Sequence, residues 1–130
     1  MSKPIVTFKA CRATEINFVN KLENGTRVEF ERKYGYNVKY APNGTCIGEF
    51  TVETYDKEHP DKFAIKAVMQ GIFAYDSSAQ KELIHVASFK ELFPYMRAMV
   101  ATVSTAAGVP PIHIPNFDIE SQNIYRFGNS

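Results

Sequence analysis

The sequence predicts an α+β fold, a four-stranded antiparallel sheet backed by a long helix and a short C-terminal helix. Three observations carry that expectation. Residues 28–40 alternate with a period of two, Pro42-Asn43-Gly44 separates two alternating segments in the manner of a hairpin turn, and beyond residue 76 the period becomes helical. Strands first and helices afterwards is the α+β order, distinct from the alternation of parallel βαβ units. No linker, repeat or low-complexity tract interrupts the 130 residues, so residues 1–130 are expected to form one domain.

Taken in order, residues 5–19 read as a first strand with irregular alternation, bent near residues 12–15 and ended by a loop over 21–26. In the second segment Val28, Phe30, Tyr34, Tyr36, Val38 and Tyr40 point one way, and Glu29, Glu31, Lys33, Asn37 and Lys39 the other. Arg32 alone interrupts the apolar stripe. A three-residue loop at Pro42-Asn43-Gly44 sets Tyr36 against Phe50 and Tyr34 against Val52, whereas a two-residue loop would oppose Val38 to Glu49. The three-residue loop is expected, because it keeps one face apolar on both strands. A charged loop over 56–61 leads to a strand over 63–75 in which Phe63, Ile65, Ala67, Met69 and Phe73 alternate with Ala64, Val68, Ile72 and Ala74. Two apolar faces call for two covering layers, one from the helices and one from a partner subunit or bound apolar chain.

Two capping-box patterns, Ser77-x-x-Gln80 and Ser88-x-x-Glu91, suggest a short helix ahead of a longer one opening at Leu92-Phe93-Pro94-Tyr95-Met96-Arg97. From Met96 an apolar stripe runs through Val100, Val103 and Ala107, while Ala98, Ala101, Thr102 and Thr105 keep the flank small enough for another helix to approach. Gly108 and Pro110-Pro111 stop the helix, residues 112–115 extend, and a last short helix starts at Asn116 and carries Phe117, Ile124, Tyr125 and Phe127.

Composition narrows the function classes. The net charge is +1 and no run of five or six like charges offers a nucleic-acid arm. No stretch approaches the roughly 20 apolar residues of a membrane span, and Met1-Ser2-Lys3-Pro4 opens without a signal-peptide segment, so a cytoplasmic placement without membrane insertion is expected. Cys11 and Cys46 read as buried free thiols, and the two Asn-Gly-Thr triplets as turns. His59, His85 and His113 lack a zinc-like spacing, the glycines follow turns and form no phosphate loop, and a Cys46 nucleophile with His85 or His113 is a trio that chance supplies; no metal, cofactor or enzymatic activity is expected. The stripe from Phe30 to Tyr40 has two readings. It is the inward face of a half-buried strand, or its three tyrosine hydroxyls line a groove that holds extended peptide.

Leu92-Phe93-Pro94-Tyr95-x-Arg97, Gly71-Ile72-Phe73, Asn116-Phe117-Asp118 and Glu15-Ile16-Asn17-Phe18 together resemble the SecB family of bacterial protein-export chaperones, over residues 6–127. The resemblance implies sheets joined across a dimer, two dimers packed through the long helix into a homotetramer, and no nucleotide or metal. It also implies an ATP-independent holdase that keeps non-native polypeptides, preproteins or an antitoxin, in apolar grooves. The groove would comprise Phe30, Tyr34, Tyr36, Tyr40, Phe50, Phe73, Phe117, Ile124, Tyr125 and Phe127, and the oligomer interface Tyr95, Ala98, Ala101, Thr102 and Thr105. Docking of the translocation motor SecA would use outer-face acids, of which Glu15 is present while Val19 and Lys66 stand where acids are expected. SecB-like chaperones dedicated to toxin-antitoxin systems are the alternative within the family. From another class, a small-molecule-binding or enzymatic α+β domain with a closed pocket is the competing reading.

Overall fold

The computed structural model describes residues 4–23, 25–110, 112 and 114. Four strands, β1 (Val6–Asn20), β2 (Phe30–Tyr40), β3 (Thr45–Asp56) and β4 (Phe63–Tyr75), precede one helix, α1 (Lys81–Ala106). The strands form one antiparallel sheet in the order β1-β4-β3-β2, with β1 and β2 at its edges. The α+β order is as expected. The final short helix of the sequence reading, from Asn116, lies outside the described residues.

The hairpin register matches the three-residue loop: Tyr36 opposes Phe50, Tyr34 opposes Val52, and Ala41 donates its N–H to the carbonyl of Thr45 at 2.8 Å. Gly44 supplies the positive φ of 79° that the turn needs. β1 bends where expected, with a register shift between Ala13 and Glu15, and a second between Phe8 and Ala10. Each shift lets two residues oppose one and re-aims the side chains after it.

The helix corrects the expected division. α1 runs unbroken for 26 residues from Lys81, so Leu92 to Arg97 sits in its middle rather than at its start. Gln80 occupies the N-cap without a side-chain bond, and Ser88 is an interior residue whose hydroxyl is used elsewhere. Pro94 lies on the exposed side of the helix, where its ring meets water and its missing N–H costs one helical hydrogen bond. Contacts of the buried Leu92 and Met96 on either side hold the helix through it. The buried stripe is Ile84, Ser88, Leu92, Met96, Val100 and Ser104 with Phe89 beside it, so Ser104 rather than Val103 follows Val100; Val103 is half-buried and Ala107 is the exposed C-cap. Gly108 then closes the helix at φ 86°, donating to Thr105 O while Val109 donates to Ser104 O, a Schellman pair. The Ser104 hydroxyl accepts the N–H of Ile112 at 2.8 Å, which ties the following chain to the helix and brings Ile112 and Ile114 into the core.

α1 lies on one sheet face, here the inner face, above a pair of glycines. Gly48 on β3 opposes Gly71 on β4. The Tyr36 ring lies across Gly48, and the Phe73 ring with Leu92 lies across Gly71. Missing β-carbons let large rings lie flat between sheet and helix.

Candidate functional site

The aromatic residues expected to line a groove divide into two groups. Tyr36, Phe50 and Phe73 are fully buried beneath α1. Phe50 meets Phe89 edge-on at 4.9 Å between ring centroids, and Tyr36 meets Phe89 at 5.2 Å and His85 at 5.0 Å. The Tyr36 hydroxyl donates to Ser88 Oγ at 2.6 Å, which donates onward to the His85 carbonyl at 3.1 Å. Burial raises the Tyr36 pKa, the Ser88 bond opposing it. These three rings shape the surface from below.

Phe30, Tyr34 and Tyr40 form the second group, half-buried along β2. Ten residue steps at about 3.3 Å each separate Phe30 from Tyr40 by roughly 33 Å, so the two rings mark opposite ends of one long strand. At the near end Phe30 stacks on Phe63 at 5.5 Å and Phe18 meets Phe63 at 5.7 Å. The Arg32 guanidinium stands 5.7 Å from the Phe30 ring centre. Burial raises the Tyr34 pKa and the positive charge of Arg32 lowers it. At the far end Tyr40 meets Tyr75 at 5.3 Å beneath the Lys81 ammonium, 5.0 Å from the Tyr40 ring. Phe117, Ile124, Tyr125 and Phe127 lie outside the described residues.

The residues expected at an oligomer interface share one exposed side of α1. Tyr95 is 52% exposed with its ring edge-on to Phe8 at 5.1 Å, Ala98, Thr102 and Thr105 are exposed, and Ala101 is half-buried. Beside them, along the β1 edge, run two open grooves that the sequence reading missed. One of about 380 Å³ is lined by Phe8, Cys11, Glu91 and Tyr95, and one of about 360 Å³ by Ile5, Leu83, Val86 and Ala87. Leu83, 49% exposed off the helical stripe, was the available signal.

The outer sheet face is polar at its centre. Glu15 accepts from Asn17 at 2.6 Å and pairs with Lys66 at 3.6 Å, so its charge is already partnered; Val19 is exposed. Gln70 bridges Glu49 at 2.9 Å and Arg12 at 3.5 Å, and an open concavity of about 330 Å³ lies among Thr14, Glu15, Glu49, Glu53 and Lys66. Towards one end Ile47 and Ile72 oppose each other, 40% and 42% exposed. Ile72 belongs to the second apolar face that the sequence assigned to β4, whereas Lys66 and Gln70 make the rest of that face wettable.

His59 pairs with the buried Asp56 carboxylate at 3.2 Å, and His85 faces Tyr36; His113 is outside the described residues. Among the described residues no group of three His, Cys, Asp or Glu side chains is placed to hold a metal ion. Cys11 is half-buried and Cys46 buried, both free, and burial lifts the Cys46 thiol to about 11. No described helix is long and apolar enough to cross a membrane.

No family model and no curated protein sequence matches this chain. Among solved structures, the Mycobacterium tuberculosis SecB-like chaperone Rv1957, in complex with a ChAD peptide from the Rv1956 HigA1 antitoxin, aligns with a TM-score of 0.68. The alignment covers 86% of this chain and 90% of that one at 14% identity. The fold is SecB-like. A protein of unknown function from Streptococcus agalactiae aligns at a TM-score of 0.46 and 14% identity, over 85% and 97% of the two chains. In the SecB-like fold of this chain, the resemblance motifs acquire packing reasons: Gly71 admits the Phe73 ring and Leu92, and Leu92-Phe93 carries the helix onto that glycine and Phe50.

Proposed function

We propose that the protein is an ATP-independent chaperone that holds non-native polypeptide, without enzymatic activity. The observation that carries this reading is the row of half-buried aromatic side chains along β2 of a SecB-like sheet. The accessible rings stand at the two ends of β2, Phe30 and Tyr34 at one and Tyr40 about 33 Å from Phe30 at the other, with the buried Tyr36 and Val38 between them, so an extended chain would meet them as separate contacts. Apolar burial at roughly 25 cal/mol per Å², less the cost of ordering the client, supplies affinity with little sequence selectivity. The fully buried Tyr36, Phe50 and Phe73 keep the row rigid, so client contact falls to Phe30, Tyr34 and Tyr40 together with the segment that carries Phe117 to Phe127. The grooves at the β1 edge and the concavity on the outer face are open, which disfavours a small molecule sealed in any of these three. The exposed small side of α1, Ala98, Ala101, Thr102 and Thr105 with Tyr95, is the proposed contact between dimers of a homotetramer.

Within this function, a client supplied by a toxin-antitoxin system is favoured over preproteins delivered to SecA. Glu15 pairs with Lys66 at 3.6 Å, and Val19 and Lys66 stand where docking acids are expected, so the outer-face positions expected for motor docking keep one acid, itself partnered. The solved structural neighbour holds an antitoxin peptide. Chaperoning is tested by adding the purified protein, at stoichiometric amount, to a denatured reporter protein diluted into buffer. Suppressed light scattering is expected, and unchanged scattering rejects the function.

A further inference from the structure

Arg32 is the residue that interrupts the apolar stripe of β2, and the holdase reading gives it no task. It stands on the same face as Phe30 and Tyr34, two residues from each, and it is exposed. Its guanidinium is drawn to the Phe30 ring at 5.7 Å, and its charge acts on the Tyr34 hydroxyl. Opposite it on β3 is Thr54, which carries no charge. Among the described residues no carboxylate lies within ion-pair distance of this guanidinium, although Glu15, Asp56 and their partners form ion pairs elsewhere. A cation held against an aromatic face keeps its planar fork of N–H donors available for a carboxylate.

The geometry points to a specificity rule that rests on the chaperone reading: we propose that Arg32 receives a carboxylate of an extended client segment whose apolar side chains lie on Phe30 and Tyr34. An extended client repeats its side chains every second residue on one face, at the same interval as Phe30, Arg32 and Tyr34. The client motif that fits is apolar, any residue, acidic, any residue, apolar. Charge-assisted, bidentate pairing of guanidinium with carboxylate supplies the selectivity that apolar contact lacks. The carboxylate comes from an Asp or Glu side chain or from the client chain end.

The experiment uses fluorescein-labelled synthetic peptides with acetylated and amidated ends, bearing Leu-Ser-Glu-Ser-Phe or Leu-Ser-Gln-Ser-Phe at the centre, titrated with the full chain and read by anisotropy. The Glu peptide is expected to bind about tenfold tighter than the Gln peptide at low salt, with the preference shrinking as NaCl screens the pair. Arg32→Gln should abolish the preference and leave Gln-peptide binding within about twofold, since the side chain is exposed and the aromatic row stays in place. A Gln peptide with a free carboxyl end separates the two sources: tighter binding of that peptide alone assigns the pairing to a chain end. Equal binding of all peptides, or a preference that survives Arg32→Gln, overturns the role of Arg32 while leaving the chaperone reading intact. Absence of any peptide binding overturns it too, and only if reporter aggregation is also unchanged does the chaperone reading fall with it.

Discussion

Gly48 and Gly71 oppose each other on the two central strands, and each has a ring where a β-carbon would be. A methyl on Gly71 would stand 2.8 Å from the Phe73 ring and 3.1 Å from Leu92, both fully buried and unable to swing into water. Gly71→Ala should therefore cost about 1–3 kcal/mol by overpacking, measured by urea denaturation. Gly48→Ala should cost more, because the methyl would overlap the Tyr36 hydroxyl and displace it from Ser88. Stability at wild-type level in both variants would contradict the flat-ring arrangement. Two buried acids nearby give a pH signature. The Cys46 pKa rises from an ordinary 9.0 to about 11 by burial, and that of Tyr36 rises from 10.0 for the same leading reason. The folded state keeps protons that the unfolded chain releases, so stability is fully present below about pH 9 and falls as pH climbs towards 11 and beyond. The urea midpoint should drop over that window, and Cys46→Ala should flatten the part between pH 9 and 11. A flat midpoint in the wild type would refute the burial account.

At the scale of elements, the hairpin between β2 and β3 was legible because two independent signals agreed, a period of two and turn chemistry that places glycine at a positive φ. The bend of β1 was legible as broken alternation, and the register shift after Ala13 is its cause. Ser88 was misread because the residue type that caps a helix also serves a buried hydroxyl, and only the position of Tyr36 across the sheet distinguishes the two uses. Pro94 misled for a related reason: a helix start and an exposed interior site both leave the proline ring in water, and it is the pair of buried residues, Leu92 and Met96, that carries the helix onward. Which rings of the stripe stay accessible could not be read from alternation alone. Tyr36 and Tyr40 have the same period on β2, yet Tyr36 lies beneath Phe89 and Ser88 and is sealed, whereas Tyr40 lies against Tyr75 and Lys81 at the sheet margin.

For the whole molecule, one side of α1 is committed to the sheet and the other is lined by small residues around an exposed Tyr95. If that side joins two dimers, a carboxylate placed there must be desolvated against its symmetry mate. Ala101→Glu should then reduce the assembly from tetramer to dimer in light scattering, with far-UV circular dichroism unchanged. A variant that keeps the wild-type mass would remove this side of α1 from the interface. The proposed division of labour puts client on the aromatic inner margin of the sheet, while at the centre of the outer face Glu15 pairs with Lys66 and Gln70 bonds Glu49.

The most direct measurement is the light scattering of a guanidinium-denatured reporter protein diluted into buffer with an equimolar amount of this protein, or of its Phe30→Ser/Tyr34→Ser variant. Both substituted rings are half-buried at the margin, so circular dichroism confirms that the variant retains its fold before the comparison is made. The account predicts strong suppression of scattering by the wild type and a several-fold weaker effect from the folded variant, in keeping with the apolar area removed. A wild-type protein that leaves aggregation unchanged would contradict the account at its centre.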